Sequence, residues 1–205
     1  MSSVMRNDVE VSARERLLAA ADLLVAERGP AGFTLREAAR RAEVSHATPG
    51  FLFGDLRGLV TAVATGGFER FALTLETAES TGGDALTRLL SVGQAYVAFA
   101  RSEPHIFRLM MGDEYLDHEH LSLTAENGRA YGVLSRCVKA LYCIEVETPE
   151  VTQRILLSWS TVHGLARLIL DGPLREQTTQ NDSFIVSVIG ALGPSLLAPL
   201  GDGTP

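Results

Sequence analysis

Apolar residues recur at steps of three and four along most of the chain, and no alternation of apolar and polar residues continues long enough to predict a strand. This spacing is typical of helices that bury one face. Short segments with Gly or Pro separate the periodic runs and mark the helix ends. The pattern predicts an all-α protein with about nine helices, over residues 12–28, 34–42, 45–53, 55–80, 84–102, 104–111, 121–142, 148–171 and 182–197.

The second and third predicted helices are short and close together. Thr34 and Glu37 have the spacing of a capping box, and Ser45 is a candidate cap for the next helix, after an interruption at Glu43. The apolar face of the first helix of the pair is formed by Leu35, Ala38, Ala39 and Ala42. Two short helices joined by a brief turn are either a helix-turn-helix, whose second helix enters the major groove of DNA, or an ordinary helical hairpin.

The segments on either side favour the first interpretation. An amphipathic helix that ends at Gly29 precedes the pair, and a long helix follows Phe53. This order resembles the tetracycline repressor (TetR) family of one-component bacterial regulators. The resemblance covers about the first third of the chain and rests on Arg14, Ala20, Ala21, Leu24, Gly29, Thr34, Leu35, Arg36, Ala39, Ala42, Val44, Ser45, Phe53, Asp55 and Leu59. It implies a helix-turn-helix DNA-binding domain over residues 1–54, a connecting helix over 55–82, and a ligand-binding and dimerisation domain over 83–205.

The same resemblance implies which side chains contact DNA. They are Thr34, Arg36, Ser45, His46, Ala47, Thr48 and Phe51, with Arg57 at the start of the fourth helix as a further candidate. Hydroxyls and backbone amides at a helix N-terminus bind phosphate, Arg pairs with guanine, and Ala contacts the thymine methyl group. The hydroxyls of Thr34 and Ser45 also have a second interpretation as plain helix caps, and both roles are compatible.

The chain departs from the usual family pattern at several positions of this region. Members commonly have Gly, Tyr, His and a basic residue where this chain has Glu43, Gly50, Leu52 and Leu56. Glu43 is expected to be strained if its φ is positive. The Pro49-Gly50 pair is expected to cost a backbone hydrogen bond inside the recognition helix. Because two customary phosphate anchors are missing, we expect DNA binding to be weaker, or the recognition helix to dock differently.

The formal net charge of the chain is −7, which is unusual for a protein that binds nucleic acid. Residues 1–60 contain eight Arg and eight Asp or Glu residues, so residues 61–205 carry the whole excess of negative charge. The predicted DNA-binding domain is therefore neutral overall. We expect weak binding to random DNA and a shallow dependence on salt, since counterion release from phosphates supplies most non-specific affinity.

A second resemblance concerns Trp159, His163 and Gly164 in the eighth predicted helix. With the segment 103–110 (EPHIFRLM), they resemble a Trp-His-Gly (WHG) type of C-terminal domain of the same family. The resemblance implies a pocket for a small-molecule effector, with the candidate lining residues Tyr96, Phe99, Phe107, Met110, Met111, Tyr131, Leu134, Trp159 and His163. The alternative for each is an ordinary core position. Because few charges are expected in this core, an apolar or aromatic effector is predicted.

The last predicted helix is too apolar to be exposed to water on all sides. Its apolar stripe consists of Ile185, Val188, Ile189 and Leu192. The resemblance implies that this helix and the eighth helix pair with their copies in a homodimer. Two-fold symmetry then requires a palindromic, double-stranded DNA operator. The implied mechanism is repression that a ligand relieves by changing the spacing of the two DNA-binding domains.

Other kinds of site have weaker support. Residues 117–120 (DHEH) have the side chains of metal ligands, but adjacent side chains point in different directions, so no metal or other cofactor is predicted. Cys137 and Cys143 are expected to be small apolar residues in a reducing compartment, with a redox switch as the alternative. The sequence has no Gly-x-Ser-x-Gly motif and no glycine-rich phosphate loop after a strand, so an enzyme is not predicted.

The chain contains no apolar run long enough to cross a membrane, and its start lacks the apolar core of a signal peptide. These features predict a cytoplasmic protein. The main alternative to an operator-binding regulator is a ligand-sensing or protein-binding dimer whose helix-turn-helix has lost tight operator binding. Gly50 and Leu56, which replace the customary phosphate anchors, motivate that alternative.

Overall fold

The computed structural model describes residues 12–112, 114–172, 182–191 and 193. All regular secondary structure in this part of the chain is helical, which confirms the predicted all-α class. The helices are α1 (Ala13–Arg28), α2 (Leu35–Arg41), α3 (Thr48–Phe53), α4 (Leu56–Glu79), α5 (Ala85–Ser102), α6 (Pro104–Met110), α7 (Leu121–Leu141), α8 (Pro149–Asp171) and α9 (Asp182–Gly190). None of these helices is both long enough and apolar enough to span a membrane. Leu192, predicted for the dimer interface, lies outside the described residues.

The first three helices form a small N-terminal bundle. A capping box starts α1: the Glu15 N–H donates to the Ser12 hydroxyl at 3.2 Å, and the Ser12 N–H donates to the Glu15 carboxylate at 2.8 Å. The helix ends at Gly29, whose φ of +77° is unfavourable for any residue with a side chain. The buried residues of the bundle are Leu17, Ala20, Ala21, Leu24, Val25, Phe33, Ala38, Ala39 and Ala42.

The long helix α4 belongs to two cores. It begins at the cap residue Asp55, whose side chain accepts from the Gly58 N–H at 2.8 Å. The helix packs against α1 and α3 of the bundle and also against α5, α6 and α7. It ends before the predicted break at Gly82 and Gly83, which both have positive φ. A displacement of α4 therefore acts on both parts of the chain.

Helix α5 is central among the C-terminal helices, with contacts to α4, α6, α7, α8 and α9. Its close approach to two of them depends on Gly93. A Cβ at this position would lie 3.2 Å from Val162 Cγ1 and 3.3 Å from Ile189 Cγ2. A larger residue at Gly93 would therefore push α8 and α9 away from α5.

Helix α9 buries part of its apolar stripe inside its own subunit. Ile185 and Ile189 are only 5% and 1% exposed and belong to the common core, and Val188 packs against that core. The sequence predicts these residues at an interface with a second subunit. Their burial against α5 leaves a different face of α9 for that role, because an apolar stripe does not specify which surface covers it.

Candidate functional site

The N-terminus of α2 has one half of the capping box that the sequence predicts. The Thr34 hydroxyl accepts from the Glu37 N–H at 3.2 Å, and its own hydrogen is not used in this bond. The Glu37 carboxylate instead accepts from Arg28 Nη1 at 2.7 Å. Thr34 and Arg36 are both exposed, so the cap and a DNA contact are compatible roles for Thr34.

The turn between α2 and α3 places Glu43 in the left-handed region, with a φ of +54°. A residue with a side chain costs about 1 kcal/mol in this conformation, so Glu43 has the strain expected of it if its φ is positive. The Val44 N–H closes the turn by donating to the Ala39 carbonyl at 3.0 Å. The Ala42 carbonyl accepts from Arg16 Nε at 3.3 Å, which ties α1 to the end of α2.

Helix α3 begins at Thr48, two residues later than the predicted cap at Ser45 implies. Its cap residue is Ala47, and Ser45 does not cap the helix but pairs its hydroxyl with that of Thr48 at 2.7 Å. Pro49 consequently lies in the first turn, where a helix has no partner for a backbone N–H. The predicted loss of a hydrogen bond at Pro49-Gly50 is therefore wrong, because that prediction started the helix too early.

Most of the predicted DNA-contacting side chains around α3 are exposed. Ser45, His46 and Ala47 face solvent, Thr48 is half-buried, and Phe51 is 89% exposed. A Cβ added to Gly50 would meet no atom within 4 Å, so the position has room for a larger side chain. The structure brings these residues together on the α2–α3 unit and leaves their surface open.

The arginines of the bundle are partly used in internal contacts. Arg41 forms a bidentate pair with Glu27, with both N–O distances at 2.6 Å, and the Arg14 guanidinium lies 5.6 Å from the centre of the Phe53 ring. Arg36 and Arg40 are exposed, and no ion pair joins either one to another described residue. Charge available for phosphate is therefore limited, in agreement with the neutral balance of the domain.

Arg57 lies at the start of α4 and binds the chain between α6 and α7. Its Nε and Nη2 both donate to the Leu116 carbonyl, at 3.1 Å and 2.5 Å. The next residue, Asp117, donates its backbone N–H to the buried Thr61 hydroxyl at 3.0 Å. We call residues 114–120 the α6–α7 link. The link is thus held on the first turns of α4, and Arg57 is engaged within the protein rather than free at the DNA-facing surface.

The C-terminal helices line a partly open cavity of about 390 Å³. Its walls come from α4, α5, α7, α8 and α9, with Met111 at the end of α6. The lining residues are Phe68, Phe71, Leu75, Leu89, Leu90, Val92, Gly93, Tyr96, Met111, Thr124, Asn127, Gly128, Ala130, Tyr131, Leu134, Ser158, Trp159, Val162 and Ile189. None of these is an Asp, Glu, Lys, Arg or His residue. An apolar wall of this size suits a small, uncharged molecule.

The predicted pocket residues fall into two groups. Tyr96, Tyr131 and Trp159 line the cavity, as do Met111 and Leu134. The predicted residues that do not line it are Phe99, Phe107, Met110 and His163. Of these, the first three are buried core residues, which is the alternative left open for each position.

The sequence analysis missed the α4 wall of the cavity. Phe68, Phe71 and Leu75 line it at steps of three and four, and this spacing is visible in the sequence. The interpretation of α4 as a connecting helix concealed their role. The apolar face of α4 continues well beyond the turns that pack on the N-terminal bundle, and this length is the signal that could have identified the three residues.

His163 lies behind Tyr96 and is bonded to it. The Tyr96 hydroxyl and His163 Nδ1 are 2.9 Å apart, and the Phe107 ring packs near both rings, with centroid distances of 5.7 Å and 5.8 Å. Burial raises the pKa of Tyr96 to about 12, and the nearby Trp159 side chain opposes this rise. Burial, with a smaller effect of the Arg167 charge, lowers the pKa of His163. Both groups are therefore neutral at neutral pH.

Two aromatic side chains form the more exposed part of the cavity wall. Tyr131 and Trp159 are each 37% exposed, and their ring centroids are 6.5 Å apart. Glu147, in the loop before α8, accepts hydrogen bonds from Tyr131 at 3.0 Å and from Ser135 and Thr152 at 3.1 Å each. This carboxylate positions Tyr131 without itself lining the cavity.

The 117–120 segment is organised by hydrogen bonds within the chain. The Asp117 carboxylate accepts from the Glu119 N–H at 3.2 Å, and Thr124 Oγ1 donates to two backbone carbonyls of this segment. Throughout the described ranges, no three His, Cys, Asp or Glu side chains are placed to hold a metal ion. Cys137 is buried and Cys143 is exposed, and both are free thiols. Burial, with the nearby Glu79, raises the pKa of Cys137 to about 11, which makes that thiol unreactive.

Helices α8 and α9 each carry apolar side chains that stay exposed in the described part of the chain. Leu157, Gly164 and Leu168 share one side of α8, and both leucines are exposed. A Cβ added to Gly164 would meet nothing within 4 Å, so another helix can approach closely there. On α9, Phe184 and Val186 are also exposed. These residues, rather than Ile185 and Ile189, are available to a second subunit.

A comparison with known families matches residues 89–191 to a family described as the tetracyclin repressor-like C-terminal domain. The matched range includes the Trp159, His163 and Gly164 motif. No curated protein sequence matches the chain.

Several solved structures are similar to the chain over most of its length. A protein with unknown function from Rhodococcus sp. RHA1 is 26% identical, with a TM-score of 0.75 over 96% of this chain and 100% of that chain. A bacterial regulatory protein in the tetR family from Rhodococcus RHA1 is 20% identical, with a TM-score of 0.69 over 91% and 97% of the two chains. The TetR-family transcriptional regulator PfmR from Thermus thermophilus is 19% identical, with a TM-score of 0.62 over 90% and 98%. The last two likenesses show the shared fold.

Proposed function

Because the chain belongs to the TetR family of transcriptional regulators, we propose that it is a ligand-responsive, DNA-binding homodimer. In this proposal it represses transcription and is released from a palindromic operator by a small apolar or aromatic effector. The observation that supports it best is an uncharged cavity of about 390 Å³ in the same chain as an open helix-turn-helix surface. Proteins of this family bind DNA and dimerise, and the relatives named above as regulators are not enzymes.

The DNA-binding surface in this proposal is the exposed side of α2 and α3. Arg36 contacts a base or phosphate, and His46, Ala47 and Phe51 lie against base edges in the major groove. The hydroxyls of Thr34, Ser45 and Thr48 bind phosphate in the same proposal. Arg57 contributes to DNA binding only if it exchanges its bonds to the Leu116 carbonyl for a phosphate.

The dimer in this proposal forms through the uncovered face of α8 and α9. Leu157, Leu168 and Phe184 supply apolar area, and Gly164 allows the helices to approach closely. A two-fold axis at this face places two copies of α3 on successive turns of DNA, which is why the operator is expected to be palindromic.

The cavity communicates with α4 through the α6–α7 link in this proposal. Met111, just before the link, and Thr124, just after it, both line the cavity. Between them, Leu116 and Asp117 are bonded to Arg57 and Thr61 of α4. An effector that displaces Met111 or Thr124 therefore moves the first turns of α4, against which α3 packs.

A second candidate function is a ligand-sensing dimer that has lost tight operator binding. It is favoured by the contact of Arg57 with the Leu116 carbonyl. Leu56 stands where a basic residue is expected, and this contact engages the adjacent guanidinium of Arg57 within the protein instead of with a DNA phosphate. The neutral charge of residues 1–60 agrees with this alternative.

Selection from a random pool of double-stranded DNA, at near-physiological salt, separates the two candidates. A regulator should enrich a palindrome, whose half-site spacing measures the distance between the two recognition helices. The selection should be repeated with cell extract, because a co-repressing ligand could be required. If folded, dimeric protein enriches no sequence in either form of the experiment, operator binding is contradicted and the second candidate is favoured.

A further inference from the structure

The polar side chains in the cavity wall have already used their hydrogens within the protein. The Tyr131 hydroxyl donates to Glu147 at 3.0 Å, and Ser158 Oγ donates to the Arg154 carbonyl at 2.8 Å. Thr124 Oγ1 donates to backbone carbonyls of the preceding segment. Each of these oxygens retains a lone pair, so it can accept a hydrogen bond from a ligand but has no hydrogen left to donate.

The deeper polar groups follow the same pattern. Tyr96 and His163 are both neutral, and we assign the hydrogen between them to the phenol, which is a stronger donor than a neutral imidazole. The Trp159 side chain lies close enough to Tyr96 to affect its pKa. Since an indole has only its N–H to offer, Trp159 adds one donor and no acceptor to the wall. The phenol oxygen, with two lone pairs, still has one acceptor site.

Among the described lining residues, the wall therefore offers several acceptors, few donors and no charged side chain. The donors left for a ligand are the Trp159 N–H and the amide hydrogens of Asn127, which is exposed on α7. A ligand hydroxyl would find an acceptor at Tyr96 or Ser158. A carboxylate would lose its water and find neither a cation nor a row of donors in exchange.

We propose, building on the function proposed above, that the effector is a neutral, largely apolar molecule that carries a phenolic or alcoholic hydroxyl. The cavity selects this hydroxyl as a donor and discriminates against a carboxylate on the same skeleton.

The test uses the single tryptophan of the chain as the reporter, since Trp159 lines the cavity. Its fluorescence, excited at the red edge of the indole band, is titrated with 4-butylphenol, 4-butylanisole and 4-butylbenzoate at pH 7.5. The three probes share one skeleton and differ in the end group: a donor, an acceptor alone, and an anion. The phenol should bind about fivefold more tightly than the anisole. It should bind at least about tenfold more tightly than the benzoate.

Variants of the cavity wall test whether its acceptor side chains cause the preference for the phenol over the anisole. Tyr96→Phe and Ser158→Ala should each lower the ratio of phenol affinity to anisole affinity, and the double variant should bring that ratio close to one. Tyr142→Phe is the matched control, because Tyr142 packs against the core without lining the cavity and should leave the ratio unchanged. Ala130→Phe, which fills part of the cavity, should abolish the response to the phenol while circular dichroism shows the helices intact.

Three results would overturn the proposal: benzoate binding as tight as the phenol, equal binding of phenol and anisole, or no saturable response to the phenol. The DNA selection described above does not depend on these probes. Selective phenol binding by a protein that enriches no DNA sequence would therefore remove the regulatory role and retain the ligand class. An enriched palindrome with no preference for the phenol would retain the regulatory role and remove the proposed ligand class.

Discussion

The guanidinium of Arg57 donates two hydrogen bonds to the carbonyl oxygen of Leu116, from Nε at 3.1 Å and from Nη2 at 2.5 Å. Arg57 is in the first turn of α4, and Leu116 is fully buried in the α6–α7 link. The pair joins α4, which packs on α3, to the α6–α7 link. Met111 precedes this link in the chain and Thr124 follows it, and both residues line the cavity. It is therefore a second connection between the cavity and the helix-turn-helix, beside α4 itself, which lines the cavity with Phe68, Phe71 and Leu75.

Replacement of Arg57 by Ala should weaken the response of DNA binding to an effector. Operator affinity is measured without and with a ligand that releases the unmodified protein from its operator. The ratio of the two affinities measures the coupling between the ligand site and the DNA site, and in Arg57→Ala it should fall at least about fivefold. Arg40→Ala, at an exposed arginine of α2, should lower both affinities by a similar factor. An unchanged ratio in Arg57→Ala would rule out the α6–α7 link as the connection.

The hydroxyl of Thr61 should contribute to stability through Asp117. It is 1% exposed and accepts the Asp117 N–H at 3.0 Å, so Thr61→Val keeps the shape but leaves this half-buried donor unpaired. The free energy of unfolding should fall by about 1–3 kcal/mol in urea titrations at fixed protein concentration. Thr65→Val removes only a bond within α4, to the Thr61 carbonyl, and should have a much smaller effect. Equal losses in the two variants would contradict this role.

The missing phosphate anchors can be restored. Gly50→Tyr combined with Leu56→Lys should raise operator affinity at least about tenfold and should make the salt dependence steeper by about one unit for each additional phosphate that the protein neutralises. The space around Gly50 accommodates the tyrosine, because a Cβ there meets no atom within 4 Å. Gly50→Ala is the control for backbone effects alone and should change affinity little. Fluorescence anisotropy at several salt concentrations measures both the affinity for DNA and its salt dependence. A steep salt dependence of random-DNA binding by the unmodified protein would contradict the expectation drawn from the neutral charge balance of the DNA-binding domain.

A charge on the uncovered face of α8 should separate the dimer. Leu168→Glu places a carboxylate in the centre of the proposed interface, where burial without a partner is costly, and should raise the dimer dissociation constant at least about a hundredfold. Leu73→Glu is the matched control, since Leu73 on α4 is more exposed, at 58% against 47% for Leu168. Sedimentation equilibrium distinguishes the two. Dimers of unchanged stability in Leu168→Glu would place the interface elsewhere.

His163 should make stability depend on pH. Burial lowers its pKa below the ordinary value of 6.5, so in acid the unfolded chain takes up this proton before the folded chain does. The free energy of unfolding should therefore decrease as the pH falls from about 6.5 towards the lowered pKa. His163→Gln should remove this part of the slope while the other histidines continue to titrate. A slope that is identical in the two proteins between pH 7 and pH 5 would show that the folded ring is not protected from protonation.

The sequence determined the all-α class and most helix limits, because helix periodicity, caps and glycine stops are local features. Ser12 and Asp55 cap α1 and α4 as their side chains allow, and Gly29 ends α1. The start of α3 was not predictable in the same way. Ser45 is a good cap by type, but Pro49 fits best in the first turn of a helix, and the chain begins α3 at Thr48.

The tertiary structure decided which surfaces the apolar faces meet. A stripe on α9 predicts burial, yet only the approach of α5 at Gly93 shows that Ile189 is covered by its own subunit. Likewise, Tyr96 lines the cavity while His163 stands behind it, because this depends on the rotation of α5 against α8. Periodicity records the polarity of each helix face but not its rotation against a neighbour, which side-chain packing sets over the whole core.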